Sequence, residues 1–321
     1  MGAHADAVRV LPFSDEWMEG FLDLAVQDDA RDPLAGPPSR DVSRSRLELH
    51  RSMGITKAHV VAVEGGRVVG SAKVNLVATC GEEGKAYLSL MVAPSHRRRG
   101  IGTRLVERVC AEMASLGVEW VQLGTLDEWE GWRRFLETRG FEPHGIRSAD
   151  VSLLPVVAVP EPPPTTGAVV RPVRLPQDRG RWIEFANRER AEDLPGACAV
   201  PPAGPTPWEV DPEARGFDPS GFLIAEERGT GELVGSVRAH VEAGDRARGV
   251  IDDLEVAKRL LRTPLKESLL VQAVTWLRKR GAASIEGRLH IGYRDDEELF
   301  RRAGFTVKNT ATTWRRRTRA P

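Results

Sequence analysis

Long apolar runs are missing from this 321-residue chain, and none approaches the ~20 residues of a membrane-spanning helix. Cysteine is scarce: Cys80, Cys110 and Cys198 stand far apart, with no CxxC pair and no Cys/His ligand spacing. That excludes a disulfide framework and offers no zinc signature, so no metal site is expected. Cys110 falls in an apolar helical stripe and reads as a small core residue. Neither charge is in excess, with 46 basic against 46 acidic side chains. A generic nucleic-acid or membrane-surface binder needs a basic surplus, so both classes are excluded. Lysine is rare among the basic residues, a bias that fits a GC-rich genome and carries no functional reading. The first residues, Met1 to Asp6, lack the basic and apolar regions of a signal peptide, and a cytoplasmic location is expected.

What is present is an ordinary globular composition, 41% hydrophobic and 29% charged, at a length suited to two domains of ~100–200 residues. Pro160, Pro162, Pro163 and Pro164 mark an extended linker over 159–167, since proline fixes φ and has no N–H for a ladder. A second Pro/Gly-rich stretch, 194–219, reads as a long loop of the kind that covers a site. The halves on either side of the linker are related. Val69-Gly70-Ser71 answers to Val234-Gly235-Ser236, and Gly140-Phe141 to Gly304-Phe305. From Val92 to Phe141 the second half aligns at a constant offset of 164, with Gly117 matching Gly281. An internal duplication implies one fold used twice.

In the first half, 58–64 and 67–76 flank Gly65-Gly66, a hairpin signal. Residues 86–92 form a further apolar strand. Ile101, Leu105, Val109, Met113 and Leu116 lie on one helical face, and Gly117 is the expected C′ residue. A strand over 120–125 follows, then an amphipathic helix over 129–139 carrying Trp129, Trp132, Phe135 and Leu136, stopped by Gly140.

The stretch Met91-Val92-Ala93-Pro94-Ser95-His96-Arg97-Arg98-Arg99-Gly100-Ile101-Gly102-Thr103 runs from strand through a basic glycine loop into a helix. Glycines let the backbone turn tightly, and amides at a helix N-terminus converge on an anion such as a phosphate. Arg97, Arg98 and Arg99 add charge within reach of phosphate oxygens. A dinucleotide fingerprint fits poorly: Leu105 replaces the third glycine, and the motif follows a hairpin. A nucleoside-triphosphatase loop fails because no GK[ST] follows. A plain solvated arginine run is the bland alternative.

The whole pattern, Val92-x-Pro94-x-x-Arg97-x-x-Gly100-x-Gly102, resembles the signature of the GCN5-related N-acetyltransferase (GNAT) family. Phe135-Leu136-Glu137-Thr138-Arg139-Gly140-Phe141 is similar to that family's Leu-Tyr-Glu-x-x-Gly-Phe segment. The resemblance implies an α/β (α+β) fold: two tandem domains, each a mixed, mostly antiparallel twisted sheet with helices on both faces. Two central parallel strands would splay into a V. It also implies acetyl-CoA as cofactor. The pyrophosphate would be held by Arg97, Arg98, Arg99, Gly100, Ile101, Gly102 and Thr103, and the pantetheine arm would pair near Met91 and Val92.

The pattern departs at chemically important places. Leu136 stands where the family often has a tyrosine that protonates the leaving thiolate, and leucine has no proton to give. Trp129 and Trp132 replace small or polar residues; Trp132 reads as core, whereas Trp129 is a candidate for shaping the acyl or substrate pocket. For a general base the strand before the loop offers Tyr87, with Ser89 beside it and Glu83 just ahead. The ordinary phenol pKa of ~10 makes Tyr87 a poor base, and a solvated turn residue is the simpler reading of Glu83. Asp127 and Glu128 suit a cationic amine, although helix capping is the simpler role for Asp127. His96 reads as a surface residue. In the second half Leu261, Pro264 and Lys266 replace Arg97, Gly100 and Gly102, and Phe300 takes the tyrosine position. Asp252, Asp253 and Glu255 cluster there without an evident partner.

The expectation is therefore an N-terminal acetyl-CoA-binding domain at 1–158, the linker, and a degenerate repeat at 168–321, as a monomer or homodimer. The expected activity is acetyl transfer to a small-molecule or peptide amine by direct attack on the thioester. The alternatives are a non-catalytic acyl-CoA-binding regulator, or an acyltransferase for another acyl group. Tandem members of the family act on small amines and cysteinyl sugars, but here the intact motif lies in the first half, and no substrate carries over.

Overall fold

Gly65 and Gly66, at φ +55° and +74°, adopt the paired left-handed turn that closes a tight hairpin. Around them strand β2 (Thr56–Glu64) pairs antiparallel with β3 (Arg67–Asn75). The computed structural model describes residues 7–29, 39–52, 54–76, 85–154, 158, 160–165, 167–193, 218–242, 245–290 and 296–319. Cys80, Cys198 and nearly all of the loop expected at 194–219 lie outside them.

The described chain divides into two units. The first comprises Met1–Thr125, Trp129–His144 and Thr313–Pro321; the second comprises Leu126–Glu128 and Gly145–Thr312. In the first, β1 (Arg9–Pro12), β2, β3, β4 (Lys85–Val92) and β5 (Trp120–Leu126) are neighbours in that order, and only β4–β5 is parallel. Helices α1 (Met18–Asp29) and α2 (Arg40–Ser52) share a small core made by Phe21, Leu22 and Leu47, against which Met91 packs. A bulge between Ala62 and Val63 sets the faces of β3. A Cβ built on Gly70 would touch Ile101 and Leu105, whereas Val68 abuts Gly20 of α1. So α3 (Ile101–Ser115) lies on one face and α1 on the other.

Ile101, Leu105, Val109 and Met113 of α3 are buried as the stripe requires, joined by Val106 and Cys110. Leu116 is not part of it: it is 57% exposed, because the chain has already left the helix there and Gly117 turns at φ +76°. Helix α4 (Glu130–Thr138) starts one residue later than the pattern suggested, with Trp129 as its cap residue and Leu136 fully buried.

The second unit repeats this plan. Strands β7 (Ala168–Pro172), β8 (Phe222–Glu227), β9 (Leu233–Glu242), β10 (Asp245–Val256) and β11 (Ser284–His290) are successive neighbours, with β10–β11 parallel. Helices α5 (Arg179–Asp193), α6 (Leu265–Lys279) and α7 (Asp296–Arg302) accompany them. The repeat is not exact. A bulge between Ile251 and Asp253 inserts a residue into β10 that β4 lacks.

The terminal strands do not respect the boundary between the halves. Strand β6 (Glu142–Leu153) begins in the first unit, and its Ser148–Leu153 portion pairs antiparallel with β11 in the second. Strand β12 (Thr306–Arg317) begins in the second unit and ends in the first, where Trp314 is buried beside α3 and β5. Each core is thus completed by residues from the other half of the sequence.

On edge strand β7, Arg171 binds Asp178 and Glu226 at 2.6 and 2.8 Å, and Arg181 joins the group. These bonds, Arg171 foremost, hold the Asp178 pKa at about 2. A carboxylate with a depressed pKa stabilises the fold above its unfolded pKa and loses that effect as pH falls through the folded value. Asp178→Asn is therefore expected to cost about 2 kcal/mol near pH 7. The difference from wild type, measured by urea denaturation, should shrink between about pH 4 and about pH 2.

Candidate active site

Strands β4 and β5 pair only at Lys85↔Trp120, Ala86↔Val121 and Tyr87↔Gln122. β4 continues to Val92 and β5 to Leu126, so the two diverge beyond Tyr87 and Gln122. The Ala93 N–H donates to the Val69 carbonyl, and the ladder alternates from there. The peptide groups of Ser89 and Met91 therefore turn to β3, and those of Leu88, Leu90 and Val92 face the opening. Val92, rather than Met91, offers its backbone to the gap.

At the wide end, Gly100 caps α3 at φ +77°, and no side chain occupies the cap. The first backbone bond of the helix runs from the Arg104 N–H to the Gly100 carbonyl. The N–H groups of Ile101, Gly102 and Thr103 have no partner among the described residues. They meet the positive end of a 15-residue helix, an anion site by construction. A Cβ on Gly100 would meet nothing within 4 Å, whereas one on Gly102 would lie 3.3 Å from the Phe135 ring. Gly100 serves the turn; Gly102 serves close packing.

The three arginines separate into three environments. Arg99 is bound by Glu64, which also takes His96 at 3.0 Å. Arg99's hydrogen bonds are the main reason Glu64 is held below the usual carboxylate range. Arg97 folds back, its Nε donating to the Val92 carbonyl at 2.9 Å. Arg98, at the unusual φ of +63°, forms no ion pair with any described residue, and its guanidinium lies beside Gly131. Arg98 is thus the loop cation left for a ligand.

Glu83 lies outside the described residues, and its role as a base is not addressed by the structure. Tyr87 is half-buried at the point where the strands part. Asp127 does not cap α4. Its carboxylate instead accepts from the hydroxyls of Thr310 and Thr312 at 2.7 and 2.6 Å, partners that no local pattern reveals. Trp129 is half-buried at the start of α4, and Trp132 packs on the core edge-on to Phe135. On the sheet face toward α1, His59 stacks on Phe13, and burial pushes its pKa down to about 3, so it is neutral near pH 7.

The second unit closes the corresponding features. Pro264 stands at φ −71° where Gly100 is left-handed. Lys266, in place of Gly102, is buried and paired with Asp296. Glu267 adds a carboxylate to the first turn of α6, where the helix dipole would otherwise favour an anion. Phe300 is buried against Phe305. The acidic residues of β10 have partners after all: Arg238 bridges Asp252 and Asp253, and His240 lies 3.1 Å from Asp252. The bulge in β10 is what brings neighbouring aspartates to one arginine.

The acetyltransferase (GNAT) family profile matches residues 24–141, the segment containing the splay, the glycine loop and α4. Residues 24–141 belong to the GNAT acetyltransferase family. The chain is an N-acetyltransferase whose cofactor is acetyl-CoA, and its fold is of tandem type. Curated relatives include the mycothiol acetyltransferase of Cellulomonas flavigena, 29% identical over 74% of this chain and 68% of the relative. That of Parafrankia sp. is 27% identical over 80% of this chain and 83% of the relative. A tandem GNAT protein from the clavulanic acid biosynthesis pathway superposes with a TM-score of 0.74 at 17% identity, covering 98% of this chain and all of that one. A GCN5-related N-acetyltransferase from Sphaerobacter thermophilus gives 0.68 at 21%, covering 98% and 96%. At such identities the two structures show the shared fold.

The first unit of this GNAT chain fits the cofactor on its own geometry. The unpartnered amides of α3 and Arg98 suit a pyrophosphate. The peptide groups of Leu88 and Leu90 and the N–H of Val92, whose carbonyl already accepts from Arg97, suit the two amides of a pantetheine arm. Among the described residues no cluster of His, Cys, Asp or Glu is placed to hold a metal, and no helix is long and apolar enough to cross a membrane.

Proposed function

We propose that the first unit carries out acetyl transfer to a small-molecule amine, in the cytoplasm, by direct attack of the amine on the thioester of acetyl-CoA. The second unit is proposed to be a scaffold without a cofactor site. The observation that carries this reading is the splay of β4 from β5 leading into the uncapped start of α3. In it Ile101, Gly102, Thr103 and Arg98 hold the pyrophosphate, and Val92 pairs with the pantetheine arm. The cofactor supplies an activated acetyl carbonyl. Leu136 is buried and has no proton, so no side chain at that position protonates the departing thiolate. General acid catalysis is typically worth ~10²–10⁴-fold, and its loss lowers the rate without removing the reaction. Tyr87 stands at the strand divergence.

Cysteinyl sugars are the first acceptors to test, because the named relatives are mycothiol acetyltransferases. Thiol release from acetyl-CoA, followed across a panel of amines, is expected to accelerate with one of them. Thiol release independent of every amine would reject acetyl transfer to this substrate class.

A further inference from the structure

We propose that the side-chain amide of Gln122 donates a hydrogen bond to the acyl carbonyl of the bound thioester. The inference rests on the first unit being the acetyl-CoA site. Three observations lead to it.

The first is position. Tyr87↔Gln122 is the last pair before the strands part. From there to Val92, beside the start of α3, the strand covers about 16 Å at about 3.3 Å per residue. That is comparable to an extended pantetheine arm. A cofactor with its pyrophosphate on Ile101–Thr103 therefore places its thioester at this vertex.

The second is direction. Val121 and Leu123 point into the core that includes α3, so Gln122 points to the opposite face. It stands next to Tyr87, its cross-strand neighbour.

The third is an available donor. Gln122 is 3% exposed as a residue, its carboxamide makes no hydrogen bond to any described residue, and its amide atoms are not among the fully buried unpartnered ones, so they stay open to a ligand. Nearby groups are already engaged: Lys85 lies 3.2 Å from His144, and Thr125 has a partner of its own. The Gln122 NH₂ is a donor and a thioester carbonyl is an acceptor. As the amine nitrogen bonds to the carbonyl carbon, negative charge gathers on the oxygen. The C–S bond then breaks, with the electron pair leaving on sulfur, and the amine proton passes to solvent. A donor fixed at the oxygen favours that charge.

The test compares the full-length wild type with Gln122→Leu. Titration calorimetry with acetyl-CoA and with free CoA reads the contribution of the acyl group. Infrared difference spectra with carbonyl-¹³C acetyl-CoA read the carbonyl bond. The wild type is expected to favour acetyl-CoA over CoA, and the variant to lose that preference by about tenfold, with CoA affinity unchanged. The bound carbonyl band should lie at lower frequency in wild type and return upward in the variant. Thermal stability should hold, since the Gln122 carboxamide makes no bond to a described residue that leucine would break. If Gln122→Leu fails to fold, Gln122→Met, of similar length, takes its place. An unchanged acetyl preference together with an unchanged band overturns the role of Gln122. Failure of the wild type to bind either ligand overturns instead the cofactor site on which the inference rests.

Discussion

Gly100→Pro is expected to abolish acetyl-CoA binding while leaving the chain folded. Gly100 sits at φ +77°, and proline is locked near −65°, so the turn into α3 must be rebuilt. The change also moves the amides of Ile101, Gly102 and Thr103, whose convergence makes the anion site. The helix itself tolerates the residue: α6 starts directly after Pro264 and runs for 15 residues. Calorimetric titration should find one site in wild type and none in the variant. One site persisting at unchanged affinity would move the cofactor away from the first unit.

Trp314→Ala is expected to destabilise the N-terminal unit, although the residue lies seven from the C-terminus. Trp314 is buried in the core formed by Val109, Met113, Val121 and their neighbours. Thr318 follows it, its N–H donating to the Glu119 carbonyl at 2.9 Å and its hydroxyl to the Val118 carbonyl at 2.6 Å. Large-to-small changes at such sites cost about 3–5 kcal/mol. Native-state hydrogen exchange should show faster opening of α3 and β5, with α5 and α6 less affected. The reverse pattern would show that Trp314 belongs energetically to the second unit.

Much of the local structure was legible because it depends on near neighbours in the chain. The stripe Ile101, Leu105, Val109 and Met113 selects a helix face whatever surrounds it. Gly65-Gly66, Gly117 and Gly140 take the left-handed conformations that their places in the pattern require. The glycine loop could be read because its function rests on backbone amides, and backbone conformation is what Gly100 controls. Leu116 shows the limit: its spacing matched the stripe, but the helix had ended.

Side-chain partnerships were not legible. Arg97, Arg98 and Arg99 are alike in sequence, yet Glu64, 35 residues from Arg99, removes one of them from the ligand's reach. Asp127 looked like a cap until Thr310 and Thr312 took its carboxylate. Asp252 and Asp253 looked unpaired until a bulge set both beside Arg238. Gln122 gave no signal at all, since a glutamine in a strand is informative only once its burial and lack of partners are known.

The sequence by itself determined the elements, the duplication, the family and the loop that faces the cofactor, because periodicity and glycine placement act over a few residues. Tertiary structure alone decided where the terminal strands end, which loop arginine stays available and which strand amide stays open to a ligand. Those depend on residues far apart in sequence, whose meeting is chosen by the packing of the whole chain and not by any local propensity.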